Sequence, residues 1–181
     1  MNSTTQASLN YNPFSSTALT GVVGALYEPL FYMNNLKDDP TKLEPLMGKS
    51  YTISDDAKTI DVTIRDGEKW SDGEPYTAED VAYTFNLLNS NKALNTGGFA
   101  GSAKALSDTE VRITLDNSES VNALSYLSGT MIVPKHVWEK IDDPVTYTNK
   151  DAVGSGPFTV KGGNFSPTAY KIGRASCRER V

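Results

Sequence analysis

Residues 59–81 read TIDVTIRDGEKWSDGEPYTAEDV, and this stretch decides the fold. Its first part alternates apolar and polar side chains, with Ile60, Val62 and Ile64 on one side, which predicts a half-buried strand. Residues 51–54 precede the turn-forming residues 55–58 and predict the partner strand of a β-hairpin. One face of this hairpin should therefore lie against a core.

The second part of the stretch predicts tight turns followed by a helix over residues 77–89. Thr77 and Asp80 have the spacing of a capping box, and Glu79 places a further negative charge in the first turn, where it suits the helix dipole. Three apolar residues then follow at helical spacing and predict one buried stripe. They are Val81, Phe85 and Leu88.

Outward from this stretch, short strands and helices are interspersed without the rhythm of a doubly wound sheet. Apolar runs predict further strands at residues 111–115, 131–133 and 158–161. Helical patterns are found at residues 21–27, 123–127 and 135–140. The predicted fold class is α/β in the mixed, α+β sense.

The composition is that of an ordinary globular chain. The 181 residues are 38% hydrophobic, which is enough for a core, and the formal net charge is -5. An acidic chain repels phosphates, so we expect no nucleic-acid partner. No apolar run approaches the roughly 18 residues of a membrane-spanning helix, and residues 1–8 lack the pattern of a signal peptide.

The last ten residues differ in composition from the rest. Residues 172–181 read IGRASCRERV and hold three of the five arginines and the only cysteine. The segment resembles the translation of a common sequencing adapter, so we expect a foreign tail without regular structure, and a native chain that is longer. The other residues hold no cysteine, which excludes a disulfide, a thiol nucleophile and cysteine-ligated metal there.

Several segments, in order, resemble the family-5 solute-binding proteins of ABC importers, a group that includes dipeptide, oligopeptide, nickel and cello-oligosaccharide binders. They are NPF at 12–14, LYEPLF at 26–31, the 59–81 stretch, VPKHVW at 133–138 and VGSGPF at 153–158. The resemblance covers nearly everything from Asn10 to Lys171. Departures are small, with Ser155 in place of the usual Thr and Phe158 in place of Tyr.

The resemblance implies a truncated N-terminal portion of a two-lobed protein that closes on its ligand about a hinge. The expected fold is a partial periplasmic-binding-protein type II-like fold, with the first lobe and its extra subdomain only. Residues 1–36 would open the first lobe, 37–150 would form the extra subdomain and 151–171 would return to the first lobe. Residues 172–181 form the expected foreign tail.

The resemblance also implies a function, namely an extracytoplasmic solute-binding component that delivers a peptide or oligosaccharide to the permease subunits of an ABC importer. Such a protein is not an enzyme and needs no cofactor. We expect it in the periplasm or lipid-anchored at the surface of a bacterium, as a monomer when full-length. Two alternatives stay open: a carbohydrate-active hydrolase, and the sensor domain of a transcriptional regulator with the same fold.

Other chemistry-bearing residues have plainer explanations. Trp70 could be a sugar-stacking platform, but packing of its turn onto the following helix explains it better. The carboxylates Glu74, Glu79 and Asp80 could form a glycosidase pair, yet capping and dipole compensation already account for them. His136 is the sole histidine, which favours a partly exposed helix residue over a metal ligand. We therefore predict no catalytic residue and no metal site.

The candidate ligand-binding residues are Phe14, Ser15, Ser16 and Thr17. The resemblance places this loop near the ligand, and its hydroxyl groups suit peptide backbone and sugar hydroxyls alike. A merely solvated loop is the alternative. The loop at residues 95–99 is a weaker candidate, through its likeness to the saccharide-binding branch.

Overall fold

The computed structural model describes residues 10–19, 22–36, 39, 42–118, 120–160 and 172–174. In chain order its strands are β1 (Phe31–Tyr32), β2 (Glu44–Pro45), β3 (Gly48–Ile53), β4 (Thr59–Ile64), β5 (Gly101–Ala105), β6 (Glu110–Leu115), β7 (Phe158–Val160) and β8 (Ile172–Arg174). The helices are α1 (Ala78–Ser90), α2 (Ser120–Gly129) and α3 (Lys135–Trp138). The mixed helix and strand content confirms the predicted fold class.

The main sheet is antiparallel, with strand order β3-β4-β6-β5. The predicted hairpin is present as β3 and β4, with Ile53 opposite Ile60. Along β4 the buried side chains are Ile60, Val62 and Ile64, as the alternation predicted, and β6 repeats the pattern. One face of the sheet is therefore apolar and the other is polar and open to solvent.

Helix α1 packs against the sheet and begins as predicted. Thr77 and Asp80 form the capping box, and the predicted stripe is buried. The helix also covers one edge of the sheet, because the side-chain amide of Asn86 donates to the carbonyl of Ala103 at 2.8 Å and accepts from its N–H at 2.9 Å. Strand β5 was not predicted; it is an edge strand among the described residues, and Asn86 bonds the backbone groups of its outer side.

The predicted helix at residues 21–27 is wrong over its described part. Val23 has ψ 126° and Gly24 has φ 81°, so residues 22–26 form an irregular turn. The physical reason is tertiary: the carbonyl of Leu26 accepts a hydrogen bond from Gly156 at 2.8 Å. The Gly24 N–H also donates forward to the carbonyl of Tyr27 at 2.8 Å, whereas a helix would direct it back to the carbonyl of residue 20.

The predicted strand at residues 131–133 is also wrong. These residues are buried but pair with no strand among the described residues. The hydroxyl of Thr84 on α1 instead accepts from the N–H of Val133 at 3.1 Å. A helix side chain therefore satisfies a group for which the apolar run had predicted a sheet partner.

The other predicted elements are present near their expected places. Strand β6 and helix α2 cover the predicted segments, α2 with several more residues, and α3 covers Lys135–Trp138 of the predicted 135–140. One expectation for the C-terminal segment is wrong, because Ile172–Arg174 pairs with β7 as an antiparallel strand. Backbone pairing needs only an extended segment beside an open edge, so it depends little on the side chains.

Candidate functional site

Asp80, in the first turn of α1, is the centre of a buried hydrogen-bond network. Its carboxylate accepts from the backbone N–H of Thr77 at 2.9 Å, the indole Nε1–H of Trp70 at 3.1 Å and the backbone N–H of Lys135 at 2.8 Å. Asp80 is only 4% exposed, so these donors replace the water that the carboxylate loses on burial. We call these four residues the Asp80 centre.

The segments of the Asp80 centre also meet at the surface. Lys135 Nζ lies 2.8 Å from Glu79 Oε2, and His136 Nε2 lies 2.8 Å from Asp72 Oδ2. The hydrogen bond to Glu79 raises the pKa of Lys135. Solvent screens such pairs, so the buried contacts of Asp80 hold α3 in place more firmly than these do.

A close crossing of two backbones joins residues 153–158 to residues 26–31. Ser155 Oγ accepts from the N–H of Glu28 at 3.1 Å, beside the bond from Gly156 to Leu26. A Cβ atom on Gly154 would overlap the carbonyl oxygen of Leu26. Glycine is therefore needed for the two chains to approach this closely.

Ser71 links this crossing to the 59–81 stretch. Its N–H donates to the carbonyl of Gly154 at 3.0 Å, and its Oγ accepts from the N–H of Gly154 at 3.1 Å. The segments at 26–31, 59–81, 133–138 and 153–158 are thus joined by hydrogen bonds in one assembly. Sequence order alone did not indicate this.

The candidate loop, residues 14–17, rests on Asn12. The Asn12 amide donates to the carbonyls of Pro144 at 2.9 Å and Tyr147 at 3.0 Å, while its Oδ1 accepts from the N–H of Phe14 at 3.0 Å. Asn12 has no exposed surface. Its three bonds fix the start of the loop to residues 144–147.

Asn149 adds a second anchor beneath the loop. Its Nδ2 donates to the carbonyl of Tyr11 at 3.1 Å and to the phenolic oxygen of Tyr27 at 2.7 Å. Burial raises the pKa of Tyr27 well above its ordinary value, although the bond from Asn149 partly offsets that rise. The phenol therefore stays neutral as a fixed support at physiological pH.

Aromatic side chains connect the candidate loop to the Asp80 centre. Phe14 meets Trp138 edge-on, with ring centroids 5.5 Å apart, and Trp138 meets Tyr147 at 5.4 Å. Trp138 ends α3, whose first residue is bonded to Asp80. A short rigid helix therefore lies between the buried network and the loop.

The outer surface of the candidate loop is polar and uncharged. Ser16 and Thr17 are exposed, Phe14 and Ser15 are half-buried, and residues 10–19 contain no Asp, Glu, Lys, Arg or His. Within the described part of the chain, no group of three or more His, Cys, Asp or Glu side chains is placed to hold a metal ion. None of the described helices combines the length and apolar character needed to cross a bilayer.

Residues 42–171 match the bacterial extracellular solute-binding proteins, family 5 Middle. The chain belongs to this family. The peptidoglycan-binding protein YepA of Agrobacterium fabrum is 30% identical over 167 residues, which are 83% of this chain and 26% of that protein. The family-5 chain therefore spans about a quarter of the length of this relative.

Two solved structures show the same fold for part of a larger protein. The periplasmic oligopeptide-binding protein of Thermotoga maritima, solved with mannohexaose, has a TM-score of 0.76 and 28% identity, covering 87% of this chain and 30% of that one. CtaP, an ABC transporter substrate-binding protein of Listeria monocytogenes, has a TM-score of 0.67 and 31% identity, covering 78% and 29%. The family-5 chain thus adopts part of the type II periplasmic-binding-protein fold.

The structure places the residues that the sequence singled out. Trp70 is 2% exposed and bonds to α1, which confirms its predicted burial and leaves no ring face for a sugar. His136 is partly exposed, as predicted. In the loop at residues 95–99, Phe99 is buried and the Asn95 side chain closes on its backbone N–H and carbonyl, so this ring is unavailable to a ligand.

The four candidate ligand residues form one continuous loop, and their contact with a ligand stays a prediction. Sequence reasoning missed their supports, Asn12 and Asn149. Asn12 lies in the NPF segment at 12–14, which carried part of the family resemblance but did not indicate what the Asn12 side chain bonds. Asn149 has φ 50° inside the fold, and nothing in the surrounding sequence signals this.

Proposed function

We propose that this chain is part of the solute-binding component of an ABC importer, located outside the cytoplasmic membrane, and that residues 14–17 contact the solute. The observation that carries the proposal is the candidate loop itself, which is uncharged, exposed at Ser16 and Thr17, and held from beneath by the buried side chain of Asn12. Ligand contacts typically lie on loops that a rigid scaffold positions. Membership of a solute-binding family supports this reading.

The proposed solute is a peptide or an oligosaccharide. The descriptions of two relatives support these classes. One is called a peptidoglycan-binding protein, and the other is an oligopeptide-binding protein that was solved with mannohexaose. The half-buried ring of Phe14 offers apolar contact beside hydroxyl groups, a combination that fits either ligand. We propose that the chain delivers the solute to permease subunits and does not transform it.

We retain the proposed organisation of the chain. Residues 1–36 and 151–171 would belong to the first lobe, and 37–150 would form the extra subdomain. Solute would then bind between this lobe and a second lobe, and the full-length protein would act as a monomer. Because each lobe supplies part of the contacts, we expect this chain alone to bind in about the millimolar range.

Saturation-transfer NMR tests the proposal with an uncharged alanine tripeptide and with cellotriose at millimolar concentration. We expect transfer to at least one ligand, reduced by Phe14→Ala. Phe158→Ala is the matched control, because Phe158 is a 38% exposed ring on β7, outside the candidate loop. Equal loss in both variants, or release of product from either probe, would contradict the proposal.

A further inference from the structure

The hydrogen bonds of the candidate loop determine which kind of ligand atom it can bind. Asn10 Nδ2 has two hydrogens, and they point to Ser15 Oγ at 3.0 Å and Thr17 Oγ1 at 3.1 Å. Its Oδ1 accepts from the N–H of Asn12 at 3.0 Å. Both N–H hydrogens of the Asn10 amide are therefore used inside the loop.

The hydrogen-bonding capacity of the Ser15 hydroxyl is used completely inside the loop. A hydroxyl oxygen has two acceptor positions and one proton. The oxygen of Ser15 accepts from Asn10 and from the N–H of Thr17, the latter at 3.3 Å. Ser15 Oγ and Thr17 Oγ1 lie 3.0 Å apart, and either could donate by distance alone. Because both acceptor positions of the Ser15 oxygen are filled, we assign the proton between the two hydroxyl oxygens to Ser15, which therefore donates to Thr17 Oγ1.

Thr17 then has one hydrogen-bonding function left. Its oxygen accepts from Asn10 and from Ser15, so both of its acceptor positions are filled. Its proton has no partner within the loop, and the residue is exposed. A hydroxyl that accepts two bonds is also a stronger donor, because hydrogen bonds in a chain polarise one another.

We propose that Thr17 is a dedicated hydrogen-bond donor and that the ligand group docked on it is an acceptor oxygen. A peptide carbonyl and a sugar oxygen both meet this requirement, whereas an ammonium group and a divalent metal cation do not. On this view the Ser15 hydroxyl orients Thr17 and forms no hydrogen bond of its own with the ligand. This inference rests on the proposed function of the loop.

The test follows the backbone amide signals of Ser16 and Thr17 by NMR. The probes are N-acetyl-trialanine N-methylamide, cellotriose and nickel chloride, each titrated at millimolar concentration. We expect the peptide or the sugar to shift these two signals, and the responding probe identifies the source of the acceptor oxygen. Nickel chloride should leave both signals in place.

Three variants isolate the donated proton. Thr17→Val keeps the side-chain shape without the hydroxyl and should weaken binding of the responding probe roughly fivefold, as expected for one hydrogen bond. Thr17→Ser keeps the donor and should stay within about twofold. Thr114→Val is the matched control, because Thr114 is exposed on β6, outside the candidate loop.

The outcomes separate this inference from the proposed function. Loss with Thr17→Val and retention with Thr17→Ser support the donor. Equal binding by Thr17→Val and the unmodified chain, or a selective shift of the Thr17 signal by nickel, would overturn the donor and leave the loop as a ligand site. No response of either signal to any probe would overturn both.

Discussion

The Asp80 centre and the candidate loop are built on the same device, a buried Asp or Asn side chain that bonds several backbone groups. Asp80 binds donors from three segments, and Asn12 binds two carbonyls and one N–H. The two regions differ in whether the groups that they hold face the interior or the solvent. The groups bonded to Asp80 face inward, whereas Ser16 and Thr17, which follow Asn12, face solvent.

Because of this difference, the residues that identify the family are not the residues that we propose bind the ligand. The 59–81 stretch and residues 133–138, which carry much of the resemblance, supply the Asp80 centre and hold the scaffold. The residues proposed to meet the solute are an ordinary run of Phe, Ser and Thr. A sequence can therefore identify a solute-binding fold clearly and still say little about the solute.

The largest expected effect comes from Asp80→Asn. The new amide would turn a donor toward N–H groups that need an acceptor, so we expect a loss of about 3 kcal/mol in the free energy of unfolding. Urea unfolding measures it, with an unchanged slope as evidence of a two-state transition. Asp72→Asn is the control, since Asp72 is partly exposed and paired only at the surface. Equal losses of unfolding free energy in the two variants would show that the buried bonds of Asp80 stabilise the fold no more than the surface bonds of Asp72.

The next largest effect should come from Gly154→Ala, with a loss of about 2 to 3 kcal/mol in the free energy of unfolding. Its Cβ would overlap the Leu26 carbonyl, and neither backbone can move without breaking the crossing. Gly97→Ala is a matched control, because a Cβ at Gly97 meets nothing within 4 Å. Thermal unfolding of both variants should show a clear decrease for Gly154→Ala alone.

Asn12→Ala tests the foundation of the candidate loop. It removes three hydrogen bonds at one edge of the fold, and we expect a loss of about 1 to 2 kcal/mol together with faster amide exchange at Phe14. Exchange at Trp70, in the Asp80 centre, should not change. If exchange rises equally at both places, the two regions are one cooperative unit and the comparison fails.

The smallest effect should come from Asp61 on the open face of the sheet. Its hydrogen bond to Arg112, at 2.7 Å, lowers the pKa of Asp61. A carboxyl with a lowered folded pKa adds stability above its unfolded pKa, near 3.9, and loses it as the pH falls through the folded value. The unfolding midpoint of the unmodified chain minus that of Asp61→Asn should therefore shrink below about pH 4. A difference that grows on acidification would contradict the assignment.

The sequence by itself determined the elements whose signals are local. The alternation at Ile60, Val62 and Ile64 and the cap at Thr77 act over a few residues, so the hairpin and α1 were predictable. The same segments also identified the family. The proposed role of the Thr17 hydroxyl as a donor was not predictable, because it depends on distances between side chains that the order of residues does not give.

Tertiary structure alone decided the elements that depend on distant partners. Residues 21–27 looked helical until the Leu26 carbonyl met Gly156, and residues 131–133 looked like a strand until Val133 met Thr84. Asn12 gained its role only when residues 144–147 came within reach. In each case a backbone group took a partner far away in the sequence, and a pattern over a few neighbouring residues carries no information about such a partner.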